Sequence, residues 1–146
     1  MPKDNEPKYF AAPDPDTGDM TYWVRDKHGQ YTAWPQTPTR AYYGPPMPSR
    51  KEQAQHEDIG AFGRHWWETI RKPWMDTVIA TIEADPVAAH ARFAAFSTRC
   101  FVCGKTLTDD DSKVWGVGPV CRPGLPHELL EFTAREIGRL HARSLE

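Results

Sequence analysis

Apolar positions follow several rhythms along this chain, and each change of rhythm predicts a change of structure. From Met1 to Met20 the residues are mainly Pro, Asp, Lys, Glu and Gly, with Tyr9, Phe10, Ala11 and Ala12 as the apolar relief. So few apolar groups do not offset the entropy of ordering, and residues 1–20 are expected to be a loose, disordered tail. Thr21-Tyr22-Trp23-Val24-Arg25 and Tyr31-Thr32-Ala33-Trp34 are β-prone runs on either side of a turn in which Gly29 can adopt positive φ, predicting a β-hairpin over 21–34. Between residues 35 and 50, Pro35, Pro38, Pro45, Pro46 and Pro48 surround Ala41-Tyr42-Tyr43, the pattern of an extended proline-rich linker.

Over 51–96 the spacing becomes helical. Ala61, Phe62, His65, Trp66 and Thr69 recur every three or four positions, and Pro73, which lacks an amide donor, is expected to end or kink that helix. Trp74, Val78 and Ile82, with Met75 and Ile79, form the apolar stripe of a second helix. Asp85-Pro86 caps and opens a third through Val87, His90, Ala91, Ala94 and Ala95. A last helix opens near Pro126 and carries Leu130, Ala134, Ile137 and Leu140 along one side to about Ala142. The expectation is an α+β protein, mostly helical: the hairpin, a short three-helix core around Trp66, Trp74 and Phe93, and a module over 97–146 made of a knuckle and the last helix.

Composition narrows the function. With 146 residues, 39% hydrophobic and 12% aromatic, the chain can build a small core from a few large side chains. No window of about 18 apolar residues occurs, and Met1–Phe10 has no apolar stretch, so neither a membrane span nor a secretory signal is expected. The expected location is the cytoplasm. Eighteen basic and twenty acidic residues leave a net charge of −2, which excludes a histone-like nucleic-acid coat and confines any nucleic-acid contact to a local patch. Three cysteines cannot close a disulfide framework and suit a reducing compartment.

Their spacing points to a metal. Cys100-Phe101-Val102-Cys103-Gly104 is a Cys-x-x-Cys followed by glycine, and Cys121 returns just before the last helix. Two thiolates two residues apart grip one Zn²⁺ at about 2.3 Å, and the glycine lets the chain fold back so that backbone amides donate to sulfur. A structural tetrahedral site needs a fourth donor, for which His127 is the preferred candidate, with His90 or an oxygen of Asp109, Asp110 or Asp111 as alternatives. A redox pair would place its first cysteine at a helix N-terminus, whereas Phe101-Val102 and Gly104-Lys105-Thr106-Leu107 read as a strand turn. Plain buried thiols are the remaining reading. One structural Zn²⁺ would supply much of the folding free energy of so small a module.

The run Cys100-Phe-Val-Cys103-Gly104-Lys-Thr-Leu107-Thr108-Asp109, with Ser112 and Gly116-Val-Gly118-Pro119-Val-Cys121, resembles an uncharacterised family of modules frequent in phages of actinobacteria and in some bacterial DNA-associated proteins. Lys105 stands where that pattern has arginine, Asp110 or Asp111 where proline is common, and Val117 where it has isoleucine. The resemblance implies a small zinc-binding unit and a phage origin, without a settled activity. A single asparagine beside eleven arginines fits a GC-rich coding sequence of that kind.

Arg135, Arg139 and Arg143 fall at i, i+4 and i+8 on the last helix, a row that could follow phosphates, with Lys105 and Arg122 in the module and Trp115 available for stacking on bases. The competing reading is a solvated face on which Glu131 pairs with Arg135 and Asp109-Asp110-Asp111 cancels the local charge. Trp66, Trp67 and Trp74 read as core rather than a binding box. Nothing fixes Asp58, His65 and Glu68 as a hydrolase site, and a His-Asn-His nuclease has no asparagine to use, since Asn5 is far from the cysteines in the chain. The resulting expectation is a non-enzymatic zinc-binding protein associated with nucleic acid. The alternative is a host-protein-binding protein acting through protein–protein contacts.

Overall fold

The computed structural model describes residues 6–144. Three strands, β1 (Tyr9–Pro13), β2 (Met20–Arg25) and β3 (Tyr31–Ala33), form an antiparallel sheet in the order β1-β2-β3, with Phe10 opposite Trp23 and Trp23 opposite Ala33. The expected hairpin is therefore the β2–β3 half of this sheet. Gly29 takes positive φ (81°), and the Asp26 carboxylate accepts from the amides of His28 and Gln30 at 2.8 and 3.0 Å.

The expectation of a loose tail over 1–20 is corrected from residue 8 onward, while residues 1–5 lie outside the described part. β1 is buried on both faces: Phe10 and Ala12 join a cluster with Trp23, Trp74, Val78 and Ile82, and Ala11 joins a second one with Phe93 and Phe101. Its outer edge is also occupied, because the amides of Lys8 and Tyr9 donate to the Phe101 carbonyl at 3.1 and 3.0 Å and Arg92 Nε donates to the Ala11 carbonyl at 2.8 Å. Four apolar residues order themselves here because they enter a slot whose two walls come from distant segments.

Residues 35–49 hold no regular element, yet they are laid against the protein: Ala41 and Tyr43 pack on the Trp23–Trp74 cluster, and Tyr43 Oη donates to the Trp34 carbonyl at 2.6 Å. Arg71 donates to the Tyr43 carbonyl and spreads its guanidinium over the rings of Tyr42 and Trp74, 4.6 and 4.8 Å from their centroids.

Helices α1 (Arg50–Ala54) and α2 (Ile59–Trp66) start at the side-chain caps Ser49 and Asp58. The helical run continues past Pro73 rather than ending there, with a distortion just before it. A π turn over Trp67–Arg71, in which the Lys72 amide reaches the Trp67 carbonyl, feeds into α3 (Lys72–Ala84) and puts Pro73 in its first turn, where no amide is required. α4 (Pro86–Ser97) is capped by Asp85, whose carboxylate accepts from the Ala88 amide at 3.1 Å, and closes on Thr98 in the left-handed region (φ 57°). The small Ala89, Ala91, Ala94 and Ala95 let β1 and the last helix, α6 (His127–Ser144), approach α4 closely, so α4 is buried nearly all round. A short α5 (Asp110–Trp115) lies within the stretch expected as loop, capped by Asp109. Trp66, Trp74 and Phe93 are all buried, but Trp74 and Phe93 belong to separate clusters, so the single three-helix core of the sequence reading is two cores sharing β1 and α4.

Candidate metal centre

The cysteine segment is a tight turn tied at every level. Arg99 bridges Thr106, the Cys100 amide donates to the Lys105 carbonyl at 2.9 Å, and the Gly104 amide returns to the Cys100 carbonyl at 2.8 Å. Gly104 holds φ at 78°, and a Cβ there would lie 2.8 Å from the Tyr9 ring and hydroxyl, so both the turn and the neighbouring strand require glycine. The second arm arrives from α5. Asp109 Oδ2 accepts from the amide and hydroxyl of Ser112 at 3.0 and 2.9 Å, and Gly116 closes the helix at φ 75° with its Cβ direction blocked by Ile137 and Ala94. The Gly116 carbonyl then takes the Phe101 amide at 3.2 Å, and the chain turns through Gly118 to Cys121.

These two arms bring the ligand atoms of Cys100, Cys103 and Cys121 within 4.8 Å of one another, with no disulfide among them. Cys100 and Cys121 are buried and Cys103 is at the surface. Burial works to raise the Cys100 thiol, but the backbone amides of Cys103, Gly118 and Val102 donate to its sulfur and hold it below the ordinary range. Cys121 has burial and the negative charge of Cys100 and Cys103 against it, and is pushed up to about 12. Three sulfurs at this spacing, one bathed in amide donors and one left protonated unless a cation arrives, can hold a metal ion. Lys8 and Tyr9 stand beside them: the Tyr9 phenol is raised by its own burial and then by the charges of Cys103 and Cys100. No local spacing announces either residue, because β1 reaches the turn through tertiary contacts, the Phe101 carbonyl and the packing of the Tyr9 ring on Gly104 among them.

His127 is not brought to the sulfurs. It is exposed on the first turn of α6, with Nε2 2.9 Å from the Glu131 carboxylate. His90 is enclosed between the rings of Phe10 and Phe101, 4.4 and 5.0 Å from their centroids, with Nδ1 2.7 Å from the Tyr9 carbonyl. Burial lowers it to about 4, so it is a neutral core group near pH 7. Asp109 borders the cavity beside the sulfurs while capping α5. Among the described residues, no His, Asp or Glu joins the three cysteines as a fourth donor.

The other candidate residues are dispersed in role. Arg135, Arg139 and Arg143 are exposed on α6, but Arg135 lies over the Phe132 ring at 4.9 Å and Arg139 donates to Glu136. Glu131 faces His127 rather than Arg135. Arg122 reaches the Ser112 hydroxyl at 3.3 Å, Trp115 packs against the Phe93–Phe101 cluster, and Lys105 is exposed at the rim of the cysteine cavity.

Residues 90–126 match a family of unknown function (DUF6011), a span that contains all three cysteines and both arms of the turn. No curated protein and no solved structure matches the chain. Among the described residues, no helix is long and apolar enough to cross a membrane.

Proposed function

We propose that this chain is a small, phage-encoded, non-enzymatic binding protein of the host cytoplasm, built around one structural Zn²⁺ and associated with nucleic acid through the metal-held module. The observation that carries the metal assignment is the convergence of three sulfurs within 4.8 Å from two arms of the chain. Thiolates select zinc over the harder divalent ions, and a metal here would tie the Cys-x-x-Cys turn to the loop that leads into α6. The nucleic-acid assignment is supported by the exposure of Arg135, Arg139 and Arg143 along one row of α6, with Lys105 on the same module.

Elemental analysis of untagged protein should give one zinc per chain, and Cys121→Ser should abolish it; absence of stoichiometric zinc overturns the metal assignment. Binding to duplex DNA at low salt should weaken with a log–log slope near about −3 if all three arginines contact phosphates, since each contributes about −0.9. Absence of binding to single- and double-stranded nucleic acid at low salt overturns that part alone.

A second reading, a partner protein of the host, is favoured by one feature. Ile59, Trp67 and Ile70 on the α2–α3 helical run, and Met47 in the proline-rich stretch, are exposed large apolar side chains. Capture of one host protein that survives nuclease treatment and is lost in Trp67→Ala would favour it over nucleic acid.

A further inference from the structure

We propose that the metal centre leaves its fourth coordination position open to the adjoining cavity, and that this position takes a small thiol as thiolate; the inference rests on the zinc assignment above. A tetrahedral site with four protein donors is closed, whereas three protein donors leave a place for an exogenous ligand. Here the candidates for a fourth donor do not join the sulfurs: His127 is engaged with Glu131, His90 with the Tyr9 carbonyl between two rings and Asp109 Oδ2 with Ser112, while Asp110 and Asp111 sit in the first turn of α5 outside the cysteine group. What meets the sulfurs instead is a cavity of about 440 Å³, which Cys100, Cys103 and Cys121 line together with Leu107, Lys8 and Lys105. That volume exceeds by far the roughly 30 Å³ of one water, so the space accepts a molecule with a carbon body.

The walls indicate which molecule. A divalent ion held by three thiolates carries one net negative charge, and it repels a further anion unless cations stand nearby. Lys8 and Lys105 bring two ammonium groups to this cavity against one carboxylate, that of Asp109, whose Oδ2 accepts from Ser112. Leu107 is buried and gives one wall an apolar surface. Soft sulfur donors suit the same ions that a three-cysteine set selects, which places a thiolate ahead of a carboxylate of equal charge. On binding, the thiol proton goes to solvent and the sulfur takes the fourth position, with no change of oxidation state. Lys8 belongs to the segment whose amide is tied to the Phe101 carbonyl, so docking of β1 also completes this ligand wall.

The test uses the full chain loaded with Co²⁺ in place of Zn²⁺ and titrated with 2-mercaptoethanol. Sulfur-to-cobalt charge transfer should rise by about one third as three thiolates become four, with a shift of the visible d–d bands, while acetate leaves the charge transfer unchanged. A chain that takes up no cobalt with sulfur charge transfer has failed the metal reading itself, before the thiol is added. Cobalt uptake with no response to 2-mercaptoethanol overturns the open position. A response to acetate alone overturns the thiol assignment, and a four-sulfur spectrum before any thiol, dependent on protein concentration, means that a second copy fills the position and also overturns it. In Lys8→Met/Lys105→Met, cobalt uptake should be retained and thiol affinity should fall about five- to tenfold; unchanged affinity overturns the role given to the lysines.

Discussion

The two cores of this protein are close neighbours and are held by different physics. The cluster around Phe10, Trp23, Trp74, Val78 and Ile82 is assembled from sheet and helix, and its large side chains exclude water without help. The cluster around Phe93, Phe101, Val102, Leu107 and Val117 draws much of its surface from loop, and its backbone amides are directed at a cysteine sulfur rather than into a ladder. The first needs only burial to persist. The second keeps its arms together against the charge of its own thiolates, which a cation would reverse. β1 joins them: alternate residues of one short strand enter each cluster, so neither half is complete without it.

The largest expected effect separates the two. Removing metal with a chelator, or making Cys121→Ser, should unfold the segment from Thr98 to about Leu125, because apparent metal-binding energies of about 10–16 kcal/mol in zinc-finger peptides serve as folding energy. Near-UV circular dichroism of the Trp23–Trp74 cluster should largely survive, and amide exchange should locate the loss. Simultaneous collapse of both signals would show one cooperative core instead of two.

Phe10→Ala strikes from the other side. Phe10 is 1% exposed, and deleting a buried phenylalanine costs about 3–5 kcal/mol. Urea unfolding of the zinc-loaded protein should record that loss while metal stoichiometry is unchanged; loss of the metal together with the stability would mean that the strand transmits damage directly to the cysteines.

His90 tests the seam, since its ring lies between Phe10 of one cluster and Phe101 of the other. Burial first, and the positive charge of Arg25, lower it to about 4, with the bond to the Tyr9 carbonyl opposing. The unfolded chain binds this proton below about pH 6.5, and the native one only near 4, so stability present above 6.5 is lost as pH falls through that window. The full difference is about 3 kcal/mol. An imidazole titration followed by NMR should place His90 below pH 5; a midpoint near 6.5 would mean that the seam admits water.

The smallest effect on stability belongs to α6. Replacing Arg135, Arg139 and Arg143 by glutamine should change it by less than about 1 kcal/mol, as glutamine is nearly as good a helix former and an exposed ion pair such as Arg139–Glu136 contributes little. The same triple variant should flatten the salt dependence of nucleic-acid binding. A large stability loss would assign the arginine row to the fold rather than to a ligand.

Much of this protein was legible from local pattern alone. The Trp74-Val78-Ile82 stripe, the Asp85-Pro86 helix start, the Gly29 turn and the cysteine spacing each express chemistry confined to a few neighbouring residues, and the structure has an element or a cluster at each. Pro73 shows the limit of that reasoning: the missing amide was legible, but the π turn over Trp67–Arg71 that moves it into a first helical turn is a change of backbone hydrogen bonding that the apolar spacing does not mark. Tyr9 to Ala12 could not be recognised as a strand, because their order comes from two walls and a carbonyl about ninety residues away rather than from their own propensity. His127 failed as a ligand for the same reason in reverse. Sequence distance put it near Cys121, but the helix it opens sets its ring toward Glu131, one turn on, and away from the sulfurs. Residue type and spacing pointed to three thiols that could share one ion, since Cys-x-x-Cys constrains its own turn and Cys121 returns within the same short module. Which groups surround that centre was decided only when β1, α5 and α6 packed together, because side chains from segments distant in the chain meet only through tertiary contact.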